Sequence, residues 1–261
     1  MGGSYSELDA RGRAMALLDH GTFRELLDPF QRIESPHLTA QGIVPQSDDG
    51  VVVARGKIGG VEAVVLGIEG NYQGGSIGEV NGAKIAGSLE LALRDAKRGR
   101  IVRPVILLDT GGIRLQEANL GILAISEIHA AIVALRDVVP VVGVIAGRIG
   151  CFGGMGIAAA LCSTLIGSEI GRLGLNGPEV IEQEAGIGEL DAKNRPRVWA
   201  TIGCRKRHED GGIDALVDDD VDAISGAVRD AFENPNATFR SRAIARATTR
   251  IAEYRIEGTG T

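Results

Sequence analysis

The segment PVVGVIAGRIGCFGGMGIAAAL (residues 140–161) gives the strongest indication of the fold class of this chain. Its opening, PVVGVIAG, is a continuous apolar run, the pattern of a strand that is buried on both faces of a parallel sheet. Paired glycines at 153 and 154 follow, and small apolar residues after them predict a helix. A buried strand that leads through glycines into a helix is the repeating unit of α/β proteins.

A second segment, VILLDTGGIRLQEANL (residues 105–120), has the same order of strand, paired glycines and helix. The N-terminus of a helix presents unpaired amide N–H groups, and glycine lets a ligand approach them closely. Such a site suits an oxygen that becomes negative during a reaction, as in an oxyanion hole. The structural alternative is that both glycine pairs only make tight turns from strand to helix.

The rest of the sequence also predicts strands and helices of an α/β fold. The runs Val51–Ile58 and Val61–Ile68 flank Gly59 and Gly60, which is a strong hairpin signal. A first helix is predicted over 11–18. Thr22 and Glu25 then form a capping box, which predicts the start of a second helix. We predict one domain over residues 1–234 and a polar, arginine-containing tail over 235–261. Further helices are predicted over 78–94, 118–135, 178–185 and 221–232, and further strands over 104–109 and 163–168.

The composition of the chain argues against a nucleic-acid-binding or membrane-binding protein. The chain has 261 residues, a net charge of −6 and only 3% aromatic residues, which disfavours binding to nucleic acid or to an anionic membrane. Three separated cysteines and no apolar leader predict a cytoplasmic protein. The uncharged stretch 149–168 is long enough for a membrane span, but its glycines favour a buried strand, turn and helix.

Two other motifs offer competing catalytic readings. Residues 154–159, GMGIAA, satisfy a dinucleotide-binding fingerprint, with Glu169 as a ribose ligand. Residues 74–78, GGSIG, place Ser76 in a nucleophile motif, and Asp109 and His129 follow it in hydrolase order. The four histidines and three cysteines have no metal-ligand spacing, so we predict no metal site.

Four further motifs follow one another along the chain: GGSIGEVNGAKI (74–85), DTGGIRLQEA (109–118), GCFGGMGIAAAL (150–161) and GRLGLNGPEVIEQEAG (171–186). Together they resemble the biotin-dependent carboxyltransferase family, most closely the beta subunit of its malonate decarboxylase branch. The resemblance covers about residues 10–233, and it includes the opening ARGRAMALLDHGTFREL. It implies a crotonase-like α/β fold, with repeated ββα units, two roughly perpendicular sheets and flanking helices. The zinc ribbon of bacterial acetyl-CoA carboxylase beta subunits has no counterpart in the sequence.

The resemblance also implies an activity and its partners. A homologous gamma subunit would complete the active site, and an acyl carrier protein would deliver a malonyl thioester on a dephospho-coenzyme A type arm. This chain would bind no cofactor of its own, and as a carboxy-lyase it would form the acetyl thioester and carbon dioxide. The resemblance assigns Gly111, Gly112, Gly153 and Gly154 to catalysis and Ile113, Arg114 and Met155 to substrate binding.

Several alternatives stay open at this point. The chain is either a decarboxylase subunit, a carboxyltransferase half that passes the carboxyl group to biotin, or a non-catalytic scaffold that binds carrier protein. The enolate left by loss of carbon dioxide needs a proton, for which Glu117, Glu182, Cys151, a water molecule and a partner residue are all candidates.

Overall fold

Seven strands of the described residues form one mixed sheet in the computed structural model, and they follow one another across it in sequence order. The structure describes residues 3–28, 31–45 and 49–234, so the predicted tail 235–261 lies outside the described residues. The first three strands are antiparallel, and β3 to β7 are parallel. The strands are β1 (Arg24–Leu27), β2 (Val51–Ile58), β3 (Val61–Ile68), β4 (Arg103–Leu107), β5 (Val142–Ile145), β6 (Thr164–Ser168) and β7 (Ala215–Val217).

Helices cover both faces of this sheet. Helices α2, α3 and α4 pack on one face through residues such as Leu89, Ile128 and Met155. Helices α1 and α8 pack on the other face, where Leu17 and Val228 belong to a second apolar cluster. The helices are α1 (Ala10–Leu17), α2 (Glu79–Lys97), α3 (Asn119–Arg136), α4 (Gly154–Leu161), α5 (Pro178–Ala185), α6 (Arg195–Ile202), α7 (Cys204–Glu209) and α8 (Val221–Glu233).

The hairpin prediction is confirmed residue by residue. Strands β2 and β3 pair from Val51 opposite Ile68 to Ile58 opposite Val61. The two linking glycines have φ values of +57° and +79°, the left-handed conformation that a two-residue hairpin turn requires at both positions.

The helix predicted to start at Thr22 is wrong. Residues Arg24–Leu27 form β1 instead and pair antiparallel with β2. The hydroxyl of Thr22 accepts a hydrogen bond from the backbone N–H of Lys57 at 3.0 Å rather than capping a helix. An unpaired edge of β2 therefore outcompetes the local helix signal, as tertiary context often does.

The uncharged stretch 149–168 divides into a turn, helix α4 and strand β6, as the sequence predicts. Among the described residues, one helix, α3, is long and apolar enough to cross a membrane by length and composition. Its buried face packs against the sheet beside α2 and α4, and the core helix of a soluble protein passes the same test. The cytoplasmic location stays a prediction.

Candidate active site

The two glycine segments lie side by side at one edge of the sheet. Turn 1 (residues 110–113) follows β4, turn 2 (residues 152–155) follows β5, and the carboxyl ends of these parallel strands meet at the same edge. Pairing continues beyond the sheet, because the N–H of Thr110 donates to the carbonyl of Gly150 at 2.7 Å. The N–H of Phe152 then donates to the carbonyl of Thr110 at 3.0 Å. These bonds bring turn 1 and turn 2 into contact.

Gly112 and Gly153 form that contact. A Cβ atom on Gly112 would lie 3.4 Å from the Cα of Gly153, and one on Gly153 would lie 3.4 Å from the Cα of Gly112. Their φ values are +107° and +60°, a region in which side chains cause strain. The close approach and the backbone conformation therefore both require glycine at these two positions.

Besides the amides of Thr110 and Phe152, three turn amides have acceptors inside the protein. Their hydrogen bonds fix the shape of the turns, so these N–H groups are not available to a ligand in this conformation. The bonds run from Gly111 to the carbonyl of Gly74 (2.8 Å), from Gly112 to the Thr110 hydroxyl (3.1 Å) and from Gly153 to the carbonyl of Leu175 (2.8 Å).

Three other amides in the turns have no acceptor within the part of the chain that the structure describes. They belong to Ile113 in turn 1 and to Gly154 and Met155 at the start of α4. Residues 112 and 114 both bond to Ile77, and the alternation of an extended chain therefore directs the N–H of Ile113 to the opposite side. The first amides of α4 are unpaired because a helix has no internal acceptor for them.

The residues that the sequence assigns to the site thus have two different roles in the structure. Gly111, Gly112 and Gly153 shape the turns, whereas Ile113, Gly154 and Met155 carry the unpaired donors. Their assignment to catalysis and substrate binding stays a prediction. What the arrangement offers chemically is a set of backbone dipoles for an oxygen atom that gains negative charge.

Arg114 is buried in a polar network behind turn 1. Its guanidinium pairs with Glu117 at 2.9 Å and donates to the carbonyl of Ser76 at 3.0 Å. Glu117 in turn accepts from the backbone N–H of Glu79 at the start of α2. With its side chain 3% exposed, Arg114 ties turn 1 to α2 in this structure, and its contact with substrate stays a prediction.

His129 reaches turn 2 from α3. Its Nε2 lies 2.7 Å from the carbonyl oxygen of Gly154, and since a carbonyl only accepts, the ring must carry a proton on that nitrogen. The bond holds the peptide group that contains the unpaired N–H of Met155. Sequence reasoning singled out this histidine only as a hydrolase base, so its contact with turn 2 is new.

The Ser76 triad is therefore wrong. Asp109 pairs with Arg13 at 2.8 Å, with both side chains almost fully buried, and it also accepts from the N–H of Ile149. Ser76 is held by Arg114, and His129 by turn 2. Asp109 instead links β4, helix α1 and the loop after β5, and it thereby supports both turns.

The prediction of a dinucleotide-binding site at residues 154–159 is wrong for a different reason. Helix α4 begins at Gly154, so the motif lies within the helix and not in the turn that precedes it. Glu169 is exposed and pairs with Arg205. No group of histidine, cysteine and carboxylate side chains that could hold a metal occurs among the described residues.

The candidate proton donors of this chain are hydrogen-bonded or buried in the structure. Glu117 is committed to Arg114 and to the N–H of Glu79. Cys151 is fully buried, and burial raises the pKa of its thiol well above the usual range. Glu182 accepts from the backbone N–H of Ala192 at 2.7 Å. A water molecule and a partner residue remain as the other candidates.

Comparisons with known proteins agree with this architecture. The chain is 41% identical over 243 residues to the malonyl-S-ACP:biotin-protein carboxyltransferase MADC of Malonomonas rubra, covering 89% of this chain and 76% of that protein. It is 55% identical to a chain of a Pseudomonas malonate decarboxylase hetero-tetramer in complex with malonate, with a TM-score of 0.88 and coverage of 96% and 91%. For the MdcD-MdcE hetero-dimer of Pseudomonas malonate decarboxylase, the identity is 48%, the TM-score 0.77 and the coverage 94% and 96%.

These neighbours confirm the crotonase-like fold. The described strands form one sheet, and the second of the two predicted sheets is not seen among them. Isolated single-residue bridges, including Ile77 to Ile113 and Thr110 to Cys151, lie outside that sheet. The model of the carboxyl transferase domain matches residues 6–253, and this chain therefore belongs to the carboxyl transferase domain family.

Proposed function

We propose that this chain is a catalytic subunit of a malonate decarboxylase, which converts a malonyl thioester on an acyl carrier protein into the acetyl thioester. The observation that carries the proposal is the contact between turn 1 and turn 2, with unpaired amides at Ile113, Gly154 and Met155. The similarity to Pseudomonas malonate decarboxylase supports it.

The proposed reaction makes use of these amides at the step that creates charge. The bond between C2 of the malonyl group and its free carboxylate breaks, and carbon dioxide leaves. The electron pair of that bond moves toward the thioester, whose oxygen becomes negative as an enolate forms. Backbone N–H groups that are fixed before the reaction stabilise this oxygen, and one such donor is typically worth about 10²–10³ in rate.

The enolate carbon must then take up a proton. Glu117 and Cys151 are engaged or buried in the free chain, so in this proposal the proton comes from water or from the partner subunit. This chain holds the enolate oxygen in place while the proton arrives at the carbon.

A partner subunit would also close the site. Large apolar side chains are exposed on segments that adjoin the two turns: Leu115 after turn 1, Ile122 and Leu123 on α3, and Ile157 on α4. Burial of such side chains favours association. The related Pseudomonas structures are a hetero-dimer and a hetero-tetramer. We propose a homologous gamma subunit as partner, and an acyl carrier protein whose dephospho-coenzyme A type arm supplies the thioester.

One observation favours a second function. The Malonomonas rubra relative is named for carboxyl transfer from malonyl-S-ACP to a biotin protein. Both reactions pass through the same enolate, so the turns of this chain serve either one. The difference lies in whether carbon dioxide is released or the carboxyl group is passed to biotin on another protein.

Reconstitution separates these possibilities. The chain is purified with its homologous partner, and acetyl-thioester formation from malonyl carrier protein is followed with avidin present to sequester biotin. Avidin-insensitive turnover is expected for a decarboxylase that acts directly. Turnover that appears only when a biotin protein replaces avidin would identify the carboxyltransferase half instead.

The scaffold alternative needs a different measurement. Gly112→Val introduces a side chain where turn 1 meets turn 2, at a φ of +107°. We expect loss of turnover with retained association of the subunits. Full turnover by this variant would show that the turns are not needed for the chemistry, and would favour a scaffold that binds carrier protein.

A further inference from the structure

A cationic cavity lies behind turn 2, outside the candidate active site. It has a volume of about 750 Å³, and its lining includes Arg148, Arg172, Arg195 and Trp199. Arg148 is paired with Glu7. Arg172 and Arg195 have no carboxylate within ion-pair distance in the residues that the structure describes. Two arginines of this cavity are therefore uncompensated by direct ion pairs.

The protein fixes the position of Arg172. One of its terminal nitrogens, Nη2, donates to the carbonyls of Arg148 at 2.6 Å and Ile149 at 2.9 Å. Its guanidinium carbon lies 4.9 Å from the centre of the Trp199 ring and 5.8 Å from that of Phe152. A guanidinium held by two carbonyls and two rings loses little freedom when it binds a ligand.

Arg172 also has donors to spare. Its Nε is buried and makes no hydrogen bond, and its Nη1 has no acceptor among the described residues. Burial lowers the pKa of this guanidinium; the carboxylate of Glu179 raises it, and the neighbouring charge of Arg195 lowers it again. Arg195 also contacts the Trp199 ring, with its guanidinium carbon 5.3 Å from the ring centre.

We infer that this cavity is an oxyanion-binding site, in which Arg172 and Arg195 take a phosphate or carboxylate group beside Trp199. Planar guanidinium groups match the geometry of both kinds of group. A bound oxyanion would offset the mutual repulsion of the two arginines and give Nη1 of Arg172 an acceptor. Phosphate groups of a nucleotide-type arm and free dicarboxylates are the two sources of such a group.

Phe152 connects this cavity to turn 2. The ring of Phe152 lies under Arg172, and its backbone begins turn 2. The inference itself does not depend on the proposed decarboxylation, because binding of an anion is measured without any turnover.

Trp199 is the only tryptophan of the chain, so its fluorescence reports on this cavity alone. The full-length chain is titrated with pyrophosphate and, separately, with malonate at constant ionic strength, and calorimetry is run in parallel. We expect saturable binding of at least one of the two anions and a change in Trp199 fluorescence. Pyrophosphate without malonate would indicate a phosphate source, and malonate without pyrophosphate would indicate a dicarboxylate.

Two substitutions remove the same charge at different places. Arg195→Gln takes one guanidinium from the cavity, and we expect binding to weaken about tenfold or more. Lys193→Gln changes an exposed side chain nearby that does not line the cavity, and binding should stay as in the parent. Absence of saturable binding by calorimetry, or equal weakening in both variants, would overturn the inference.

Discussion

The substitution Gly154→Ala tests whether the first amide of α4 has to be placed accurately. The backbone at Gly154 is helical, so alanine is not strained there. Its Cβ atom, however, would lie 2.7 Å from Cγ2 of Ile125 on α3. Ordinary contacts between carbon atoms are about 3.5–4.0 Å, so α4 or α3 must move by roughly 1 Å.

That displacement sets the expected size of the effect. A misplacement of about 1 Å in a catalytic constellation can cost about 100-fold in rate. Loss of a single oxyanion donor costs about 2.7–4 kcal/mol of transition-state stabilisation. We therefore expect kcat to fall by about 10²–10³. The overpacking should lower the free energy of unfolding by about 1–3 kcal/mol, which most domains survive.

The assay is acetyl-thioester formation by the chain with its partner subunit, together with urea denaturation of each variant. Gly87→Ala is the matched control, since Gly87 lies in α2 and an added Cβ atom meets nothing within 4 Å. It should leave kcat unchanged and stabilise the helix by about 0.5–1 kcal/mol. A second variant, Gly154→Ala with Ile125→Ala, removes the atom that the new Cβ would meet.

The double variant separates placement from stability. Ile125 is buried, so Ile125→Ala costs about 2–5 kcal/mol of stability. We nevertheless expect the double variant to recover at least about tenfold in kcat over Gly154→Ala, because about 1.4 kcal/mol of transition-state stabilisation is tenfold in rate. Parental kcat in Gly154→Ala would show that catalysis does not need the amide of Gly154 in its present position.

Three further predictions concern residues around the site. Asp109→Asn leaves Arg13 buried without its charge partner, and we expect urea denaturation to show a loss of about 3–5 kcal/mol; an unchanged midpoint would argue against the supporting role. His129→Leu removes the donor to the carbonyl of Gly154 and should lower kcat about 2–10-fold, the worth of one neutral hydrogen bond, with His129→Gln partly restoring it and KM unchanged. Burial raises the pKa of the Cys162 thiol to about 12, whereas the thiol of the unfolded chain titrates at about 8.5. The buried thiol therefore contributes its full stability below about pH 8.5. This stability is lost as the pH rises from there to about 12. Stability should therefore fall above about pH 8.5 by roughly 1.4 kcal/mol per pH unit for this thiol, and Cys162→Ala should reduce that slope in denaturation series at several pH values.

The elements with a strong local signal were predictable from sequence. The β2–β3 hairpin follows from alternating apolar residues around two glycines, because both features act within a few residues of each other. Helix α8 begins after Asp220, whose carboxylate accepts from the N–H groups of Asp222 and Ala223, and such capping is equally local.

Elements that depend on distant neighbours were missed. Strand β1 exists because β2 presents an edge, and no residue between 22 and 27 reveals that edge. Helices α6 and α7 and strand β7 were not predicted, and α6 packs through Val198 and Ile202 on Phe152, which is far away in sequence. Their stability comes from burial against other segments more than from propensity.

The candidate site shows the same division. Two strands that lead through paired glycines into helices can be predicted from the sequence, since apolar periodicity and glycine pairs are local properties. The contact between the turns at Gly112 and Gly153, and the identity of the unpaired amides, depend on how distant segments pack together. Acceptors such as the carbonyls of Gly74 and Leu175 arrive from other parts of the chain, and no local pattern specifies which N–H group each of them will take.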